Sequence, residues 1–229
     1  MLANYPISAQ AGKLAEVHLP GTIRNALIDF IAEELPHWRD HPDRPLETAE
    51  EALTGYLCDH LNSAAKESTG WNWVQFRTEV RDEIKRVRKI DLVPKPCGAV
   101  LFIESRRHTQ FDTLIPIECK RLPTPKGEDR DEREYVATAK GSTGGIQRFK
   151  FGHHGATHRM ADMIAYVQER TFAYWLTRVN DWIGNLARKT DSGWIASDAL
   201  QALKDSPDAG VYRLRSRHNR PDDLEEIRI

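Results

Sequence analysis

A chain of 229 residues that is 40% hydrophobic carries enough apolar side chain for one large core and too little for two comfortable domains. Its 33 basic and 34 acidic residues leave a formal net charge of −1, which excludes the uniform basic field of a histone-like nucleic-acid binder, so any such contact must use local patches. Cys58, Cys97 and Cys119 are too few and too scattered for a disulfide framework or a zinc ribbon, MLANYPISAQAGK lacks the apolar run of an export signal, and no stretch reaches the length of a membrane span; the expectation is a cytoplasmic protein with no membrane partner.

The first periodic segment is GTIRNALIDFIAEEL, residues 21–35, where Ile23, Leu27, Ile28, Ile31 and Leu35 recur at helical spacing; His37 to Pro45 reads as a loop with two prolines. A second helix is predicted from Glu47 to about Lys66, with Leu53, Leu57 and Leu61 on its inner face, Thr48 as N-cap and Glu51 as capping-box partner. From Phe76 the period shortens. QFRTEV, RKIDLV, GAVLFI and TLIPIEC are short, rich in β-branched or aromatic residues and separated by charged or Pro/Gly segments, which predicts a sheet of three or four strands. Residues 124–144 are too charged and glycine-rich for a core and read as a solvated loop; Gly141 to Gly145 contains no Gly-Lys-Ser/Thr and is no phosphate loop. MIAYVQ, 163–168, predicts another buried strand, followed by a helix through Phe172, Trp175, Leu176, Val179, Trp182, Ile183 and Leu186, a short helix near 196–204 and a final strand VYRLRSRH, 211–218. Met160, Met163 and the six tryptophans read as core or interface residues. The order predicts an α/β fold with a central mixed β-sheet flanked by helices.

Two of these strands carry acids. In TLIPIECKR alternation puts Glu118 and Lys120 on one face, and in RKIDLV Asp91 interrupts an apolar run. A carboxylate embedded in a core strand is retained most easily when it is paired or coordinates a metal. Mg²⁺, for which Mn²⁺ can substitute, binds oxygen ligands and activates water, so Asp91, Glu118 and the Cys119 carbonyl are candidate ligands, with Lys120 orienting or deprotonating the water. Glu79, and Glu51 or Glu50, are secondary candidates for the metal, and Gln168 for the edge of the site. His153, His154 and His158 lack the spacing and the partners of a zinc site and read as a glycine-flanked loop beside a substrate groove. Arg213, Arg215 and Arg217 alternate onto one face over about 13 Å, with Arg220 following; with Arg148 and Lys150, and with Arg77, Arg81, Lys85, Arg86, Arg88 and Lys89, they are candidates for a nucleic-acid groove, the alternative being a charge-protected edge strand.

Ile90-Asp91 followed by Glu118-Cys119-Lys120 resembles the PD-(D/E)xK nuclease superfamily, with isoleucine where the family has proline. The resemblance covers about residues 45–190 and implies a restriction-endonuclease-like core in 45–229, a helical extension in 1–44, catalytic Asp91, Glu118 and Lys120, and Mg²⁺-dependent hydrolysis of DNA. GGIQRF, GHHG and MADMIAYV look like a pattern in bacterial defence-associated nuclease-like proteins, which implies a defence or repair role with a protein partner or a homo-oligomer. A catalytically silent nucleic-acid-binding or scaffold subunit, and an RNase on the same fold, are the alternatives.

Overall fold

The computed structural model describes residues 15–127, 130–139, 143–203, 210–221 and 223–229. Strand β1 (Ala15–Leu19) and helix α1 (Ile23–Arg39) precede helix α2 (Glu50–Glu67). Strands β2 (Val74–Arg81), β3 (Lys89–Pro96), β4 (Ala99–Ile103), β5 (Arg106–His108) and β6 (Ile117–Leu122) follow, then helix α3 (Gly145–Lys150), strand β7 (Asp162–Val167) and helix α4 (Phe172–Ala187). A 3₁₀ turn at Ala196–Asp198 leads to short strands β8 (Gln201–Ala202), β9 (Leu214–Arg215), β10 (Arg217–His218) and β11 (Ile227–Arg228). The fold is mixed α/β. A four-stranded sheet runs in the order β2-β3-β6-β7, with β2, β3 and β6 antiparallel and β7 parallel to β6. The predicted GAVLFI strand lies outside it, in a second sheet of order β1-β4-β5. Among the described residues no helix is long and apolar enough to cross a membrane.

Alternation along the strands divides the interior in two. Cys119, Ile117, Ile164 and Tyr166 meet Leu27, Ile31, Leu53, Leu57 and Leu61 of α1 and α2 on one face. Leu122 joins Ile146 of α3 and Trp175, Val179, Trp182 and Ile183 of α4 on the other. The N-terminal stretch is not purely helical, since Ala15–Leu19 form β1 in parallel with β4, and α1 packs into the first of these cores as part of one globular unit. The pattern of β1 is five residues with little burial, too weak to predict without its partner. Helix α1 also continues past the predicted loop start, through Pro36, because Trp38 in its last turn is buried against Tyr166.

Three local features shape the sheet. Prolines at 94 and 96 have no N–H to give a ladder, and the registered pairing of β3 with β6 reduces to Leu92 opposite Ile117. At the free side of β2 the Asn62 side chain of α2 acts as a substitute strand: its Nδ2 donates to the Phe76 carbonyl at 3.0 Å and its Oδ1 accepts the Phe76 N–H at 2.8 Å. The third feature corrects the reading of 124–144 as solvated. Tyr135, Val136 and Ala137 are buried against α4, and the carbonyls of Glu134, Tyr135 and Val136 accept the first N–H groups of α3, those of Gly145, Ile146 and Gln147. Residues 128–129 and 140–142 of that stretch lie outside the described residues, as does Lys204 at the end of the predicted helix near 196–204, which is a 3₁₀ turn followed by β8.

Candidate active site

Continuing the register past Leu92 and Ile117 sets Asp91 opposite Glu118, so both acids occupy the sheet face that α3 covers. Where β3 and β6 stop exchanging backbone bonds, the Asp91 carboxylate replaces the ladder: Oδ2 accepts the Cys119 N–H at 2.9 Å. Lys120 lies between the acids and the end of α2. Its Nζ donates to Glu50 Oε1 at 2.7 Å and to its neighbour's carbonyl, that of Cys119, at 2.9 Å, with Asp91 Oδ2 at 3.4 Å. Glu50 Oε2 in turn accepts the Arg121 N–H at 3.0 Å, which ties the first residue of α2 to β6.

Glu118 is fully buried, and both oxygens are engaged. Oε1 lies 2.6 Å from His154 Nδ1, and Oε2 receives the Arg148 guanidinium. Arg148 comes from α3, while His154 is fixed by the loop behind it: its N–H donates to the Arg148 carbonyl at 3.0 Å, and the next N–H, that of Gly155, donates to Asp82 Oδ2 at 2.9 Å. Gly155 has φ of +60°, and a Cβ there would stand 2.8 Å from Pro116, so the loop depends on glycine at this position. The buried Asp82 also accepts the Ile84 and Lys85 N–H groups, so one carboxylate joins the β2–β3 turn to the histidine loop.

These contacts leave the two acids unequal. Burial, and then the Glu118 charge, push Asp91 up to about 6, against the pull of Lys120. Burial acts on Glu118 in the same sense, but His154 and Arg148 outweigh it and hold this carboxyl below its ordinary value. Lys120 is opposed by its own burial, yet Asp91, Glu50 and Glu118 raise it above the usual lysine range. It is therefore a protonated cation near neutrality. Compared with family models, with characterised proteins and with solved structures, the chain matches none.

Asp91, Glu118, the Cys119 carbonyl and Lys120 thus converge as the sequence predicts. Other predicted site residues lie elsewhere. Glu79 stands level with Asp91 in the β2–β3 register, but with φ of +52° its exposed carboxylate pairs with Lys89 at 2.5 Å instead. Glu51 is exposed; the N-cap of α2 is Ala49 without a side-chain cap, so the capping box of Thr48 and Glu51 does not form, and Glu50 is the α2 acid at the site. Lys150 is 1% exposed and bonded to Asp198 at 2.9 Å, which removes it from any groove. His218 Nδ1 joins that buried pair at 3.0 Å from Asp198, a close contact without hydrogen-bond geometry, and its Nε2 meets Ser216 Oγ at 2.8 Å. The predicted strand 211–218 breaks at Ser216 into β9 and β10; Arg215 and Arg217 are exposed there, whereas Arg213 is paired with Asp29 of α1. Arg220 donates to the carbonyls of Gly155, His158 and Glu225. Gln168 bridges the Thr48 carbonyl and Arg121 at the rim of the site.

The three histidines take three different partners. His154 bonds Glu118, His158 stands 3.6 Å from Glu83, and His153 lies 3.3 Å from Lys85. Sequence reasoning missed His154 as a member of the acid cluster because nothing in GHHG marks which imidazole turns inward; the pin to Asp82 is a contact across 73 residues.

The donor set has the chemistry of a hard-cation site: two carboxylates and a backbone carbonyl, with Asp91 held at about 6 in a setting that an added positive charge would relieve. A divalent ion at these donors would have to displace Arg148 or His154 from Glu118, whose two oxygens they occupy. Among the described residues no group of three or more His, Cys, Asp or Glu side chains is arranged to hold a metal, so a backbone or solvent oxygen must complete any coordination.

Proposed function

We propose that this protein is a divalent-cation-dependent nuclease of the PD-(D/E)xK type, hydrolysing DNA phosphodiesters. The observation that carries the reading is the cross-strand pair of Asp91 and Glu118 with a charged Lys120 beside it. The succession α2, antiparallel β2, β3 and β6, α3 and parallel β7 is compatible with the core that the sequence resemblance implies. Asp91, Glu118 and the Cys119 carbonyl would hold Mg²⁺ or Mn²⁺, which when bound supplies positive charge to the phosphate and acidifies water. Lys120 would serve as a charge and donor for the developing oxyanion, or orient or deprotonate the attacking water. Glu50 and the Cys119 carbonyl hold its ammonium in position. Arg215 and Arg217 are exposed cations for backbone phosphates, and a role in defence or repair follows from the resemblance of the 144–167 tract.

The test is incubation of the protein with supercoiled plasmid, linear duplex, single-stranded DNA and RNA in Mg²⁺, Mn²⁺ or EDTA. Metal-dependent cleavage of a DNA is expected, lost in Lys120→Ala while DNA affinity stays within a few fold, because the lysine acts on the transition state more than on the bound ground state. Cleavage of RNA alone would move the reading to an RNase on the same fold, since the metal site does not discriminate the sugar. Full activity in Lys120→Ala would refute the assignment. One observation favours a catalytically silent scaffold: Arg148 and His154 already occupy both oxygens of Glu118.

A further inference from the structure

The two partners of Glu118 are not equivalent. His154 is 2% exposed and its backbone is held by the Arg148 carbonyl while the adjacent Gly155 is held by Asp82, so its imaginable movements are few. Arg148 has a side chain 19% exposed over an acid that is 0% exposed. Arg148 is therefore the more accessible of the two partners of Glu118. Building on the nuclease reading, we propose that Arg148 is an exchangeable counter-ion for Glu118 and a phosphate ligand once displaced: a divalent ion takes Glu118 Oε2 from it, and the freed guanidinium, still tethered to α3 beside the acids, binds a substrate phosphodiester.

Charge counting supports the exchange. Asp91, Glu118 and Glu50 face Lys120 and Arg148, which with the imidazole left aside gives three negative charges against two positive, a formal excess of one negative. A divalent ion added without any movement would convert that to one positive charge in a mostly buried cluster, an unfavourable surplus at low dielectric. Moving Arg148 outward leaves the acids, Lys120 and the ion neutral, and places the one surplus cation at the mouth. A phosphodiester carries the single negative charge that matches it, and guanidinium binds phosphate oxygens through paired N–H donors. Cation and nucleic acid then bind with positive coupling through one side chain.

The experiment titrates Ca²⁺ calorimetrically into wild type, Arg148→Gln and Asp91→Asn, and measures the affinity of a phosphorothioate duplex by anisotropy with and without Ca²⁺. Removal of the competing cation should tighten Ca²⁺ binding in Arg148→Gln by about threefold or more, and the gain in duplex affinity that Ca²⁺ gives wild type should shrink by about tenfold. A folded Arg148→Gln that binds Ca²⁺ no tighter than wild type overturns the exchange. A second readout needs no variant: Ca²⁺ should shift the Arg148 Nε–Hε resonance of the wild-type protein, and an unmoved resonance under saturating Ca²⁺ overturns it equally. If wild type binds Ca²⁺ and Asp91→Asn does not, while Arg148→Gln equals wild type, this inference falls and the nuclease reading stands. If wild type binds no Ca²⁺, both fall.

Discussion

Asp91→Asn should make the protein more stable in EDTA. Folding places this carboxyl in a site where burial and Glu118 raise it from 3.8 to about 6, so the folded state holds the proton more tightly than the unfolded chain. The sign follows from linkage: the cost of ionising Asp91 in the folded state is absent below the unfolded value, grows as pH rises towards 6, and is complete above it. The full difference amounts to about 3 kcal/mol at about pH 8 and falls to about 1 kcal/mol near pH 4.5. Asparagine preserves the oxygen that accepts the Cys119 N–H, and Lys120 retains Glu50 and the Cys119 carbonyl, so most of the cost should be recovered without a new orphan. A gain of about 1–3 kcal/mol corresponds to a rise in Tm of about 3–9 °C for a domain of this size. Wild type should in turn respond to Mg²⁺, by about 1.4 kcal/mol at tenfold excess over the dissociation constant, and the Asn variant much less. Thermal scans of both proteins across this pH range, in EDTA and in Mg²⁺, measure all of these quantities. An Asn variant that melts below wild type at about pH 8 in EDTA, or a difference that persists undiminished near pH 4.5, would refute the reasoning.

Two further predictions test the surroundings of the site. Lys150→Met leaves the buried Asp198 without its ammonium, and unfolding should become easier by about 3–5 kcal/mol, with duplex affinity of the folded protein unchanged; weaker duplex binding at full stability would return Lys150 to the groove. Gly144→Ala brings a Cβ into the backbone of Ala137, and the denaturation midpoint should fall by the equivalent of about 1–3 kcal/mol, whereas an unchanged midpoint would show that the 133–137 turn does not dock tightly on α3.

The chemistry at the centre was more legible in the sequence than its enclosure. Asp91, Glu118 and Lys120 are visible because acids in apolar strands break a pattern that burial otherwise imposes, and period-two alternation fixes which of them share a face. Leu53, Leu57 and Leu61 announce α2 in the same way. What escaped are contacts with no local period. Arg148 and Lys150 sit two residues apart on one short helix and look alike as basic residues, yet one meets Glu118 and the other Asp198, a distinction made by partners 30 and 48 positions away. Glu50 and Glu51 are adjacent acids in a first turn, and only the approach of β6 decides that Glu50 reaches the lysine. Tyr135 to Ala137 are buried although the segment around them is among the most charged in the chain, because three apolar residues in a turn suffice to dock it.

The amide of Asn62 has a consequence for how molecules of this protein meet one another. An outer strand normally offers neighbouring chains a row of unpaired N–H and C=O groups, the template from which intermolecular sheets and aggregates grow. At Phe76 both groups are already taken, so a foreign strand laid along β2 would meet a side-chain amide where it needs backbone and would lose register after a few residues. One carboxamide from a neighbouring helix thereby interrupts the outer line of the sheet, adding to the charges of Arg77, Glu79 and Arg81 that the strand itself carries.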